Sequence, residues 1–364
     1  MDFLTLNPET FGLDISDLSI KAVQLAKKKS GFEIVSFGSA QLKEGAIRAG
    51  EIKNENTLSD AIRKALAETK GKKIKAKNVV ASLPEEKAFL QVIQMPRLPE
   101  EDLKSAVIYE AENYIPLPME EVYLDTQIIL PLKNHLDHYD ILIAALARKT
   151  VDSYYSCIEK AGLKPRVLEI ESLAIARALA KDGVAKSPLL LIDLGATKTS
   201  FIVFSGTAVR FTSSIPVSSQ KLTEAIARTL KIDLAEAEKI KIEYGLEAIT
   251  RKKSGEIFDA LIPPLTDLVE QIKKHLSFYR DHSSHEHLSP NGAVIEKILL
   301  CGGGANLKGL PDFLSSELGL PVELGNPLIN ILPEDKKAIS SLSFEASLSY
   351  ATALGLALRN FQEE

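Results

Sequence analysis

The feature that most restricts this chain is a pattern that occurs twice. Phe11-Gly12-Leu13-Asp14-Ile15-Ser16 opens the first half, and Leu191-Ile192-Asp193-Leu194-Gly195-Ala196 opens the second. Each is an apolar run with one Asp near its end, then a turn of small or polar residues, then a run that reads as a second strand. Self-similarity at a distance is read first as duplication of a structural unit. A carboxylate at the end of a buried strand needs hydrogen bonds or a cation to offset its burial. Two such Asp residues in matching contexts point to two related α/β lobes that bring a pair of carboxylates to one cleft.

Strands and helices alternate along the chain, as in α/β architecture. Phe11–Ile15, Ile20–Leu25 and Phe32–Ser39 read as strands. Asn56 or Thr57 can cap a helix whose apolar face is Leu58, Ala61, Ile62, Ala65 and Leu66. Asn78–Leu83 is a short strand ended by Pro84. From there the texture changes to strand, helix, strand, strand, helix, with Pro96, Pro99, Pro116, Pro118 and Pro131 between them. The expected organisation is a first lobe beginning at 1–83, an inserted α+β subdomain at 84–164 and a return within the first lobe at 165–188. A second lobe with a helical subdomain follows at 189–344, and a single C-terminal connecting helix at 345–364.

A length of 364 residues suits two lobes. The net charge of −5 gives no encouragement to nucleic acid or anionic lipid as the main ligand, and the basic run Lys72–Lys77 reads as a solvated turn. Two cysteines, Cys157 and Cys301, form neither a disulfide framework nor a paired metal motif, so a reducing compartment is expected. No apolar run approaches the roughly 20 residues that span a bilayer. The N-terminus lacks a basic segment followed by an apolar core. A cytoplasmic protein is expected, reaching a membrane only through a partner. The histidines fall near His135 with His138 and from His275 to His287; the Ser-rich run His282–His287 reads as a surface loop rather than a metal site.

The chemistry is carried by five pieces. Turn N–H groups make concavities that suit phosphate oxygens, so Ser16, Asp17 and Leu18, with Lys21 beyond, and Gly195, Ala196, Thr197 and Lys198 are candidate contacts to a polyphosphate. Asp14 and Asp193 would hold Mg²⁺, usually through its water shell. Gly302, Gly303 and Gly304, followed by Asn306, allow close backbone approach to a flat or anionic ligand. Glu238 and Lys241 lie three apart and share a helix face, where they form either a surface ion pair or a contact to a ribose or adenine edge. Glu171, at a strand-to-helix junction, reads equally as a residue that positions a water and as a first-turn acid favoured by the helix dipole.

In this order the five pieces resemble the actin-like ATPase superfamily. Gly12-Leu13-Asp14-Ile15 with Ser19-Ile20-Lys21, the segment Glu110-Ala111-Glu112-Asn113-Tyr114-Ile115-Pro116-Leu117, Asp125 and the run Leu142–Lys149 are similar to the PilM family of type IV pilus assembly proteins, itself FtsA-like. The resemblance implies a two-lobed actin-like fold of duplicated ribonuclease-H-like lobes, ATP with Mg²⁺ as cofactors, and a place in the inner-membrane pilus assembly complex. As partner it implies the N-terminal cytoplasmic tail of a PilN-like inner-membrane protein, with weak self-association allowed. It also implies at most weak ATPase activity, with Glu171 as the water-positioning carboxylate. The family has Gly then Ser or Thr where Ser16, Asp17 and Leu18 stand; Asp17 would repel phosphate unless its side chain turns outward. The alternatives are a sugar or acyl kinase of the same superfamily and a nucleotide-free adaptor. No counterpart of FtsA's C-terminal amphipathic anchor is expected after Phe361.

Overall fold

Two sheets with the same strand order organise the chain in the computed structural model, which describes residues 9–29, 31–130, 137–246, 252–282, 294–332 and 341–361. In the first lobe β1 (Thr10–Ile15), β2 (Ser19–Lys27) and β3 (Phe32–Gln41) form an antiparallel meander. A two-strand hairpin, β4 (Ile47–Arg48) with β5 (Glu51–Ile52), precedes helix α1 (Glu55–Ala67) and the edge strand β6 (Lys70–Gly71). β7 (Asn78–Leu83) then pairs parallel to β1. The helix is capped by Asn54, whose Oδ1 accepts from Thr57 N at 3.0 Å, rather than by the expected Asn56 or Thr57.

The chain next leaves this sheet. β8 (Ala88–Pro96), α2 (Glu100–Ala111), β9 (Val122–Ile129) and β10 (His138–Ala147) build a separate three-stranded sheet of order β8-β10-β9. Its own core gathers Ile93, Leu103, Val107, Val122, Ile141 and Ile143. Helix α3 (Arg148–Lys160) behaves differently from the expected 84–164 unit: Tyr154, Cys157 and Ile158 pack with Leu58 and Ile62 in the first-lobe core. β11 (Lys164–Ile170) returns parallel to β7, and α4 (Glu171–Leu179) follows.

The second lobe repeats the plan. β12 (Ala185–Leu194), β13 (Thr199–Gly206) and β14 (Ala208–Ile215) form the antiparallel meander. Helices α5 (Ser219–Leu230), α6 (Leu234–Tyr244) and α7 (Lys252–His282) come next. β15 (Lys297–Cys301), α8 (Leu310–Leu318) and β16 (Val322–Leu324) extend the sheet in parallel. The orders β3-β2-β1-β7-β11 and β14-β13-β12-β15-β16 correspond strand for strand. Instead of one C-terminal helix there are two, α9 (Phe344–Leu348) and α10 (Ala351–Arg359), broken at Ser349-Tyr350.

The last helix of each lobe crosses to the other. From α4, Ile175, Ala176 and Leu179 bury against Leu191, Ile202 and Phe204 of the second sheet. From α10, Ala353, Leu354 and Ala357 bury against Val23, Leu25 and Phe37 of the first. Each large aliphatic side chain buried this way contributes about 1.5–3 kcal/mol. The crossing is close enough that a Cβ on Gly355 would overlap the Ala174 backbone, and one on Gly12 would come within 2.6 Å of Ala357 N. His135 and His285–His287 lie outside the described residues.

Candidate functional site

The two Asp turns have the same local construction. In the first, Asp14 pairs with Lys21 across the hairpin, and Ser16 N donates to Ser19 O at 3.0 Å. In the second, Asp193 pairs with Ser200, and Gly195 N donates to Lys198 O at 2.9 Å. Both turns open onto one cleft of about 290 Å³. Its walls include Asp14, Ser16, Asp17, Leu18 and Lys21 from the first hairpin and Asp193, Gly195, Ala196, Thr197 and Lys198 from the second. Glu171, Glu238 and Gly302, Gly303 and Gly304 line it as well.

The floor of the cleft is rich in acid. Asp14 is buried, with Lys21 Nζ at 3.5 Å and the Ser82 hydroxyl at 3.5 Å. Burial raises the Asp193 carboxyl above its usual range, and the Asp14 charge adds to the effect against the pull of Lys21 and Lys198. Glu171 Oε2 accepts from Lys198 Nζ at 2.8 Å, and the same Nζ also reaches Glu86. Burial pushes Glu171 up to about 8; the Lys198 charge opposes this, while Glu86 and Asp14 reinforce it. Lys198 itself is held charged: burial would lower its pKa, but Glu171 and Glu86 raise it by more. One ammonium thus serves two carboxylates, and Glu171 bears the cost.

Asp17 is compensated from its own side. Ala49 N and Gly50 N, in the left-handed turn between β4 and β5, donate to its carboxylate at 3.2 and 3.3 Å. Thr197 Oγ1, from the opposite lobe, lies 3.5 Å away. Its charge is therefore partly spent on the first lobe's backbone, although the residue still borders the cleft.

The glycine turn forms the opposite wall. Gly302 has φ 84°, and a Cβ there would come within 2.6 Å of Leu194 O and closer still to the Asp193 carboxylate. This is the left-handed region that favours glycine. Its N–H donates to Leu348 O at 2.9 Å, which fixes the α9 end against the wall.

Two expected residues are not on the cleft surface. Lys241 is buried behind it, its Nζ held by Glu238 at 2.7 Å, Ser219 Oγ at 2.8 Å and Thr223 Oγ1 at 2.8 Å. Burial lowers its pKa, with Glu238 opposing. The Asn306 side-chain amide points to α9 and donates to Glu345 O at 3.0 Å. In the other direction, Ser19, Ser219, Leu348, Ser349, Ala351 and Thr352 line the cleft without having been singled out as site residues. The last four flank the Ser349-Tyr350 break between α9 and α10, which has neither Gly nor Pro to mark it in the sequence.

These residues fit a divalent cation bound with a polyanion. Among the described residues, the carboxyls of Asp14, Asp193, Glu171 and Glu86 draw on the charges of Lys21 and Lys198, two cations for four acids. Among the described residues no three His, Cys, Asp or Glu side chains converge to bind a metal alone. An ion here would keep much of its water and share ligand oxygens, the habit of Mg²⁺.

Comparison with known proteins sets this site in context. Residues 12–361 match the family described as type IV pilus assembly protein PilM. The solved PilM-PilN type IV pilus biogenesis complex has a chain 28% identical to this one; the match has a TM-score of 0.81 and covers 98% of this chain and all of that one. The cell division protein FtsA of Neisseria meningitidis serogroup B is 24% identical, with 86% of this chain and 83% of that protein covered. MreB5 of Spiroplasma citri, solved bound to ADP, shares the fold at TM-score 0.55 and 12% identity, covering 96% and 94% of the two chains.

Proposed function

Because the chain belongs to the type IV pilus assembly protein PilM family, we propose that it is a cytoplasmic, ATP-binding actin-like scaffold of the pilus assembly complex that captures the N-terminal tail of a PilN-like membrane protein. The observation that carries the nucleotide half is the cleft itself: two hairpins of identical register, one from each lobe, put Asp14 and Asp193 on a common cavity closed by the Gly302–Gly304 turn. Turn N–H groups of both hairpins would hold phosphate oxygens, and Asp14 and Asp193 would orient the water shell of Mg²⁺. The ion, when bound, would neutralise phosphate charge. Glu238, backed by Lys241, would face the sugar. Glu171 would order a water once Lys198 turns from it toward phosphate.

The partner half is supported by the family and by the chemistry of the insertion. Tyr109, Leu117 and Tyr123 of that region are exposed, as is Tyr155 of α3, and they offer apolar contact area, to which the tyrosines add polar tips. Among the described residues no helix is long and apolar enough to cross a membrane, which agrees with attachment through a partner. Titration calorimetry with ATP–Mg²⁺, and separately with a synthetic peptide of the partner's N-terminal tail, tests the two halves. Absence of either heat signal at protein concentrations near 100 μM rejects that half.

A further inference from the structure

Lys198 belongs to one lobe and is held by the other. It stands in the turn after β12, in the second lobe, yet its Nζ donates to Glu171 Oε2 at 2.8 Å and to Glu86, both first-lobe carboxylates. Lys198 and Lys21 are the lysines that line the cleft. Glu86 belongs to a single 3-10 turn, Glu85–Lys87, at the root of the insertion, directly before β8. Its neighbour Glu85 is buried; Glu85 Oε2 accepts from Ser172 N at 3.3 Å, and Glu85 N donates to Glu171 Oε2 at 3.5 Å. The root turn is therefore tied to the cleft on both residues, and it runs straight into the three-stranded sheet of the insertion, whose strand β9 carries the exposed Tyr123.

A lysine has three donors but a single charge. Glu86 and Glu171 both accept from its Nζ here, and a bound polyphosphate would be a third claimant with a higher density of negative charge. We propose that Glu86 is a positioning residue that competes with polyphosphate for Lys198, so that filling the cleft draws Lys198 off the root of the insertion. This rests on the nucleotide reading above. Its consequence is a physical link between occupancy of the cleft and restraint of the strand that begins the partner-binding region. Ligands at the two places would then bias one another's affinity, and linkage makes the bias reciprocal.

The test is a double-mutant cycle read by calorimetry with ATP–Mg²⁺. Glu86→Gln, which removes the competing charge and keeps a polar side chain, is expected to tighten binding about three- to tenfold, within the lower part of the range of couplings between neighbouring groups. In a Lys198→Met background the same change should leave affinity unaltered. Tightening that persists there would make the effect a general field of one fewer carboxylate and overturn the proposal. A second readout needs no change at Lys198: amide exchange over Glu85–Gln91 should quicken when wild-type protein takes up ATP–Mg²⁺, and Glu86→Gln should show the faster exchange before nucleotide is added. No quickening in either overturns it. Wild-type protein that binds no ATP–Mg²⁺ sinks the nucleotide reading and this inference with it. Wild-type binding with an unmoved Glu86→Gln affinity sinks this inference alone.

Discussion

At the scale of single residues, the cleft is a problem of too many carboxylates for its lysines. Asp193 is held in the protein with its pKa raised by burial and by Asp14, so a cation should relieve a cost already present. Asp193→Ala is expected to lower ATP–Mg²⁺ affinity at least about tenfold, equivalent to about 1.4 kcal/mol, with an unchanged far-UV spectrum; wild-type affinity in calorimetry removes Asp193 from the metal's environment. Glu171 leads to a pH prediction. Its carboxyl titrates at about 8 in the folded protein against an ordinary 4.5, so the folded state binds that proton more tightly than the unfolded chain does. The stability it contributes is fully present below pH 4.5 and is lost as pH rises through 8. Melting temperatures of nucleotide-free protein from about pH 5 to about 8.5 should therefore fall less steeply in Glu171→Gln than in wild type. Parallel curves would show that this group does not titrate in the window. The same variant separates the two readings of the residue: slower turnover with wild-type ATP affinity marks a water-positioning role, and unchanged turnover marks a helix-start acid.

At the scale of elements, the decisive contact is the crossing of α4 and α10. Each helix leaves one lobe and covers the other lobe's sheet, so the junction between lobes is built from packed helices rather than from a free linker. The closeness of the crossing depends on Gly355, whose missing side chain lets its backbone rest on Ala174. Gly355→Ala should cost about 1–3 kcal/mol, the usual penalty of overpacking, visible as a lower midpoint in urea with little change in slope. An equal or higher midpoint would mean that the helices have room to separate. α3 shows the same principle from the other side. It follows the insertion in sequence, but Tyr154, Cys157 and Ile158 fill a first-lobe core that α1 alone leaves open.

At the scale of the whole molecule, the insertion touches three things: the first lobe at its root, the cleft through the Glu86–Lys198 pair, and the second lobe. The last contact is made by Arg210, which donates to Asp140 at 2.6 Å, and by Thr207, whose hydroxyl donates to Leu130 O at 3.0 Å. A deletion that removes only the insertion must therefore spare both its root and α3. Cutting out 84–164, as the sequence boundaries suggest, would strip α3 from the core. Replacing 89–143 by a short Gly-Ser link keeps Ala88 near its partner Leu146; this variant should lose the partner's tail peptide and retain ATP–Mg²⁺. Retained peptide binding would move the capture site elsewhere. Local pattern was enough for the alternation of strands and helices, the duplicated Asp hairpins and the glycine turn, because each depends on neighbours within a few residues. The same pattern named most of the cleft wall, since both hairpins carry their cleft-lining residues on or beside the turn itself. It could not reach Glu86, the burial of Lys241, the turning of Asn306 toward α9 or the exposure of Ser349 and Thr352 on the cleft. Glu86 lies 112 residues before Lys198 and in the other lobe, Asn306 39 residues before Glu345, and Lys241 22 residues after Ser219, so each depends on contacts between segments that local pattern does not relate and only the folded chain brings together.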